Sequence, residues 1–122
     1  MMAKILIVDD AQFMRNILTK ILTANGHQIV GEADNANSGI EQFKELSPDL
    51  VTMDICMPDK SGIEAIKEII NIEPNAKILV CSSLGQELMV MEAIQLGAKD
   101  FIVKPFKKEK LVEMINKIVE EK

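Results

Sequence analysis

The sequence predicts an α/β protein: a doubly wound, five-stranded parallel sheet with five helices. Three observations carry the prediction. Short apolar runs, mostly β-branched, recur along the 122 residues, as strands buried on both faces do. Longer amphipathic segments separate these runs. The β-α order repeats five times, with no linker or low-complexity stretch to divide the chain, and such alternation gives a parallel sheet covered on both faces.

The first run is Ile5-Leu6-Ile7-Val8. After it, Met14, Ile17, Leu18 and Ile21 follow the i, i+3, i+4, i+7 spacing of a helix, which Asn25-Gly26 stops. A weaker run, Gln28-Ile29-Val30-Gly31, is the second strand, and a helix is expected over 36–46. Ser47-Pro48-Asp49 breaks that helix before Leu50-Val51-Thr52-Met53, the third strand. A helix over 62–72 ends at Glu73-Pro74-Asn75, before Ile78-Leu79-Val80-Cys81. The fourth helix, 86–96, is apolar nearly all the way round, whereas a surface helix shows one stripe. With Val90, Ala93, Ile94 and Gly97 on the sheet, Leu88 projects oppositely, beside Glu92 and Gln95. Scattered surface hydrophobes and a protein-docking face both fit that pattern. Phe101-Ile102-Val103 is the fifth strand, and Leu111, Met114, Ile115 and Ile118 mark the last helix.

Composition narrows the function classes. The chain is 48% hydrophobic and 27% charged, which is a globular balance, and its length is that of one domain over residues 1–122. Fourteen basic against nineteen acidic residues give a net charge of −5, with one arginine (Arg15) and only Phe as aromatic. A nucleic-acid binder needs a basic footprint, and this chain has none. No apolar run nears the ~20 residues that span a bilayer, and Met1-Met2-Ala3-Lys4 lacks the pattern of a signal peptide. Cys56 and Cys81 make neither a disulfide framework nor a zinc site, so a cytoplasmic location is expected. Cys81 is expected to be a buried small hydrophobe, His27 a surface residue on the edge strand, and the eight methionines mostly core filler.

The chemistry gathers where the strands end. Asp9-Asp10 follow the first strand, Asp54 the third, Ser82-Ser83 the fourth and Lys104-Pro105 the fifth. Ligands of open α/β sheets bind beyond the carboxyl ends of the strands, at the point where strand order reverses. With five β-α units the common order is 2-1-3-4-5, which sets the first and third strands side by side there. Asp9, Asp10 and Asp54 then converge, flanked by Ser82 and Lys104. Three carboxylates and one lysine sum to −2, a frustrated site that a divalent cation neutralises. An all-oxygen donor set with no His and no thiolate suits Mg²⁺. Aspartate is also an accepted nucleophile for phosphoryl transfer. Each residue has a plainer reading: Asp9, Asp10, Ser82 and Ser83 as helix caps, Asp54 as a turn residue before Met57-Pro58-Asp59, Lys104 as a solvated lysine. Four strands that each end in a suitable group argue against coincidence.

These residues carry a family resemblance. Ile7-Val8-Asp9-Asp10, Met53-Asp54-Ile55-Cys56-Met57-Pro58, Gly62, Cys81-Ser82-Ser83 and Gly97-Ala98-Lys99-Asp100-Phe101-Ile102-Val103-Lys104-Pro105-Phe106 resemble the receiver domain of two-component response regulators over essentially the whole chain. With no length left for an output domain, the chain resembles stand-alone chemotaxis receivers, the CheY type. Phe13-Met14-Arg15 and Val51-Thr52-Met53-Asp54-Ile55 are similar to those of archaea and some deep-branching bacteria.

The resemblance implies a flavodoxin-like fold and a role for each position. Asp54 is the phosphoacceptor, supplied by the phosphohistidine of a CheA-like histidine kinase. Asp9, Asp10 and Asp54 bind Mg²⁺ with the backbone carbonyl of Cys56. Ser82 moves toward the phosphoryl group, Lys104 pairs with it before a cis peptide bond to Pro105, and Phe101 is the switch aromatic, turning inward. The output face is the fourth helix, fifth strand and fifth helix. It docks a motor-switch or adaptor protein, with the regulator a cytoplasmic monomer that contacts neither nucleic acid nor membrane. Receivers of this kind are switches rather than turnover enzymes, although they assist their own phosphorylation and dephosphorylation. Cys56 and Leu84 occupy the variable positions beside the phosphoryl group, where side chains gate attacking water.

Two rival classes fit less well. A phosphatase resembling the haloacid-dehalogenase group wants Asp-x-Asp after the first strand, where this chain has Asp9-Asp10-Ala11, and a cap domain. A flavin-binding module wants a phosphate loop after Val8 and aromatics for the ring, and the chain has neither Trp nor Tyr.

Overall fold

In the computed structural model, which describes residues 2–121, ten elements alternate: β1 (Lys4–Val8), α1 (Gln12–Ala24), β2 (Gln28–Ala33), α2 (Ala36–Leu46), β3 (Leu50–Asp54), α3 (Gly62–Ile72), β4 (Ile78–Ser82), α4 (Glu87–Leu96), β5 (Asp100–Val103) and α5 (Lys108–Glu120). All neighbouring strands pair in parallel, in the order β2-β1-β3-β4-β5. This is the predicted doubly wound sheet. β2 runs two residues past Gly31, because the parallel ladder carries on to the pair Val8 and Ala33.

Period-two alternation sorts each strand between two cores. Ile5, Ile7, Leu79 and Cys81 face α1 and α5, packing with Leu18, Leu22, Leu111 and Ile115. Leu6, Val8, Val51, Met53, Ile78 and Val80 face α2, α3 and α4, packing with Ile40, Ile66, Ile69 and Val90. Burial on both faces explains the uninterrupted apolar runs. Cys81 lies in the first of these cores, as expected. The helices start and stop on local signals: Asn35 caps α2 through Ser38 N at 2.8 Å, Ser61 caps α3 through Glu64 N at 3.3 Å, and Gly26 ends the α1 turn at φ +88°.

Two expectations are corrected. His27 is buried, not a surface residue. The Ala3 amide donates to its Nδ1 at 3.1 Å, and its Nε2 lies 3.0 Å from Asn116 Oδ1, so the ring bolts the start of β1 to α5. Asn116 is 89 residues away in sequence, beyond the reach of any local pattern. In α4, Val90 and Ala93 are buried and Leu88 is 82% exposed as expected, but Ile94 is 39% exposed. The buried arc of α4 is rotated toward Met89 and Leu96, which pack on the core beside α3's Ile70, so Ile94 and Met91 are left at the β5 side.

Candidate functional site

Parallel pairing brings the carboxyl ends of β1, β3, β4 and β5 level: Val8 lies beside Met53, Asp54 beside Cys81, and Ser82 beside Val103. The chain leaves β1 for β2 on one side and reaches β3 on the other, so the crevice falls between β1 and β3.

Asp9, just past β1, is buried. Its backbone is held at both ends, the N–H donating to Ala33 O at 3.0 Å and the carbonyl accepting from Arg15 Nη1 at 2.7 Å. Arg15 also reaches Glu32 on β2 at 3.2 Å, so the sole arginine braces the ends of β1 and β2. Asp9 Oδ1 accepts from the Ala11 amide at 2.9 Å, a turn ahead of α1 and not a helix cap, while Oδ2 takes the Lys104 ammonium at 2.8 Å. Asp54 ends β3, nearly buried, with Oδ1 3.4 Å from the same Lys104 Nζ. Gly62 at the start of α3 donates to Ile55 O at 2.6 Å, and a Cβ on Gly62 would collide with the Asp54 carbonyl. Only glycine permits that approach.

Asp9, Asp10 and Asp54 each offer a carboxylate oxygen within 4.8 Å of the others. Burial, reinforced by the negative charge of Asp9, pushes the Asp54 carboxyl up to about 6 against the pull of Lys104. Burial also works against the Lys104 cation, but its hydrogen bond to Asp9 and the charges of Asp54 and Asp9 outweigh that, and its pKa is raised. One cation among three carboxylates therefore leaves the cluster short of positive charge.

Ser82 ends β4 with its carbonyl accepting from Lys104 N at 2.7 Å. Its hydroxyl is fully buried without a hydrogen-bond partner among the described residues. The Lys104–Pro105 peptide is cis, as the resemblance implied. Phe101 is 40% exposed and borders an apolar groove of about 390 Å³ with Leu84, Val90, Met91 and Ile94. The sequence-derived residues thus split: Asp9, Asp10, Asp54 and Lys104 meet in one cluster, with Ser82 bonded to the Lys104 backbone, while Phe101 stands apart at the groove. Cys56 is exposed, and its Sγ accepts a hydrogen bond from Gln86 Nε2 at 2.9 Å.

Asp59 and Gln86 escaped sequence reasoning. Asp59, in the β3–α3 loop, accepts from the Ala36 and Asn37 amides at 2.9 and 2.8 Å and so holds the first turn of α2; these bonds keep its carboxyl below the usual range. An acid after Met57-Pro58 reads as a turn residue, and nothing local pairs it with a helix 22 residues earlier.

Comparison with known proteins places the chain in a family. Residues 5–116 match the family model described as the response regulator receiver domain. The chain is 58% identical to the chemotaxis protein CheY of Thermotoga maritima, over 94% of this chain and 96% of that one. It is 56% identical to CheY of Bacillus subtilis, over 93% and 95% of the two chains. Among solved structures it is similar to the CheX–CheY–BeF3–Mg²⁺ complex of Borrelia burgdorferi, with a TM-score of 0.92 and 33% identity over 97% of this chain and 90% of that one. The chain belongs to the response regulator receiver family, with CheY proteins matched over nearly its whole length.

Proposed function

We propose that this chain is a phosphorylation-activated chemotaxis response regulator in which Asp54 accepts a phosphoryl group from a CheA-like histidine kinase. The observation that carries the reading is the cluster itself: three convergent carboxylates, one of them held near pKa 6, with Lys104 bridging Asp9 and Asp54. In the transfer the P–N bond of a phosphohistidine breaks and a P–O bond to Asp54 forms, leaving imidazole and an acyl phosphate. Lys104 is already beside Asp54, so it meets the added charge as a point donor. The buried, unpartnered Ser82 hydroxyl has a hydrogen bond to give, and a phosphoryl oxygen is a suitable acceptor.

The donor set fits Mg²⁺, since the carboxylates of Asp9, Asp10 and Asp54 are hard oxygens lacking positive charge. With the backbone carbonyl of Cys56 they would hold the ion, which would neutralise charge on the phosphoryl group. The relative from Borrelia burgdorferi, whose complex contains Mg²⁺, supports this assignment.

The output follows from a two-state balance. Moving a switch from 1:99 to 99:1 takes about 5.5 kcal/mol. Hydrogen bonds to charged groups give about 1.5–3 kcal/mol each, so roughly two to four of them, with Ser82 and Lys104 among the donors, suffice. Ser82 moving inward vacates space toward which Phe101 turns. The exposed Leu88, Met91 and Ile94 on α4, with Phe101 on β5, supply the apolar part of an α4-β5-α5 face for a motor-switch or adaptor protein. The protein acts as a cytoplasmic monomeric switch, a single receiver over 1–122 without nucleic-acid or membrane contact, that assists its own phosphorylation and hydrolysis. No helix among the described residues is long and apolar enough to cross a membrane.

Incubation with acetyl phosphate and Mg²⁺, followed by intact mass spectrometry, tests the reading. One base-labile phosphoryl group on the wild type and none on Asp54→Asn is expected. No adduct, or steady turnover of many phosphate esters, refutes it.

A further inference from the structure

One side chain spans the two loops that flank Asp54 and Ser82. Gln86 Oε1 accepts from the Ser83 amide at 2.7 Å, and its Nε2 donates to Cys56 Sγ at 2.9 Å. A primary amide offers an acceptor at one end and donors at the other, so both ends are matched. Cys56 lies two residues beyond Asp54, and Ser83 is covalently next to Ser82. Gln86 is also the residue before α4, and its side chain makes no bond to the first helical amides. Its two hydrogen bonds go instead to the loop after β4 and, 30 residues away, to the loop after β3. The helix it precedes is lightly anchored: α4 buries only Val90 and Ala93, against five residues in α3.

We propose that Gln86 is a positioning residue: a latch, closed only in the unphosphorylated state, that ties Cys56 and the Ser83 backbone together and holds the start of α4 at rest. This rests on the reading above that Ser82 moves toward a phosphoryl group on Asp54. Because Ser83 follows Ser82 in the chain, that movement carries the Ser83 N–H away from Oε1. The Gln86 amide is then released, Cys56 loses its donor, and the first turn of α4 loses its tether to the site.

The full-length protein supplies its own reporter. Cys81 is buried and its thiol is pushed up to about 12, so a disulfide reagent such as Ellman's reads Cys56 alone in the folded chain. Gln86→Met keeps the side-chain length and removes both hydrogen bonds; Gln86→Ala serves as the second variant. In metal-free, unphosphorylated protein, Cys56 is expected to react about two- to tenfold more slowly in Gln86→Met, which keeps the bulk beside the sulfur but no longer donates to the attacking thiolate, the ratio one net hydrogen bond controls. With acetyl phosphate and Mg²⁺, both variants are expected to gain the phosphoryl group faster by a similar factor, at an unchanged decay rate. A merely structural role would change gain and decay together. Phosphoryl uptake on Asp54 with Cys56 reactivity unchanged overturns the latch alone, and so does an equal change in gain and decay. No uptake by the wild type overturns the phosphoacceptor reading, and the latch's release with it.

Discussion

Replacing Asp54 by Asn in metal-free buffer is expected to stabilise the protein, although it destroys the proposed phosphoacceptor. The Asp54 carboxyl is raised from 3.8 to about 6 because it is buried beside Asp9. A carboxyl whose pKa is raised by folding stabilises the fold fully below its unfolded value, here pH 3.8, and that contribution is lost as pH rises through about 6. At 1.36 kcal/mol per pH unit, the interval amounts to about 3 kcal/mol. Solvent at the mouth of the crevice screens part of it, and Asn gives up the 3.4 Å contact with Lys104, so about 1–2 kcal/mol is the expected gain at pH 7.5. Lys104 keeps its shorter bond to Asp9 at 2.8 Å. Urea unfolding followed by circular dichroism, with EDTA present, measures the difference at pH 7.5 and again at pH 4. The gain should shrink toward zero at the lower pH, where wild-type Asp54 is protonated in the fold. Mg²⁺ at pH 7.5 should narrow the gap by stabilising the wild type. An Asn variant less stable than wild type at pH 7.5, or a gap that does not change with pH, would refute the charge-frustration argument.

Two further substitutions probe the surroundings of Asp54. Leu84 is 82% exposed beside the Ser82-Ser83 segment, and Leu84→Glu should hasten loss of the phosphoryl group roughly tenfold, below the ~10²–10⁴ of a well-placed general base; an unchanged decay rate counts against a gating position. Gly62→Ala forces a methyl group into the Asp54 carbonyl and within 2.9 Å of Ile55 Cα, and should cost about 1–3 kcal/mol of stability and slow phosphorylation. Paired unfolding and acetyl phosphate measurements check this, and an Ala variant with wild-type stability would show that the backbone can yield there.

The polar residues that end strands were legible because each sits immediately after an apolar run. Asp9, Asp54, Ser82 and Lys104 needed only the strand order to be brought together, and the order followed from five β-α units. A lone histidine on an edge strand reads as solvated, whereas His27 is buried by partners, Ala3 and Asn116, that lie 24 and 89 residues away. Helical periodicity gives the width of an apolar arc and not its rotation, so it puts Ile94 on the sheet; α3 and α4 packing through Ile70 and Leu96 sets the rotation that leaves Ile94 exposed.

By itself, then, the sequence determined the alternation of elements, the two buried faces of the sheet and the set of acids, lysine and serine at its carboxyl edge. Those depend on hydrophobic period and on residue type, which are local properties. Only the tertiary structure decided that Lys104 bridges Asp9 and Asp54, that the Ser82 hydroxyl lacks a partner, that Asp59 caps a distant helix and that Gln86 joins two loops. Three of these join residues from different β-α units, and the other depends on which groups the sheet leaves around Ser82. Hydrogen bonds and charge interactions act over a few ångströms, so their pattern exists only after the sheet has set the strand ends side by side.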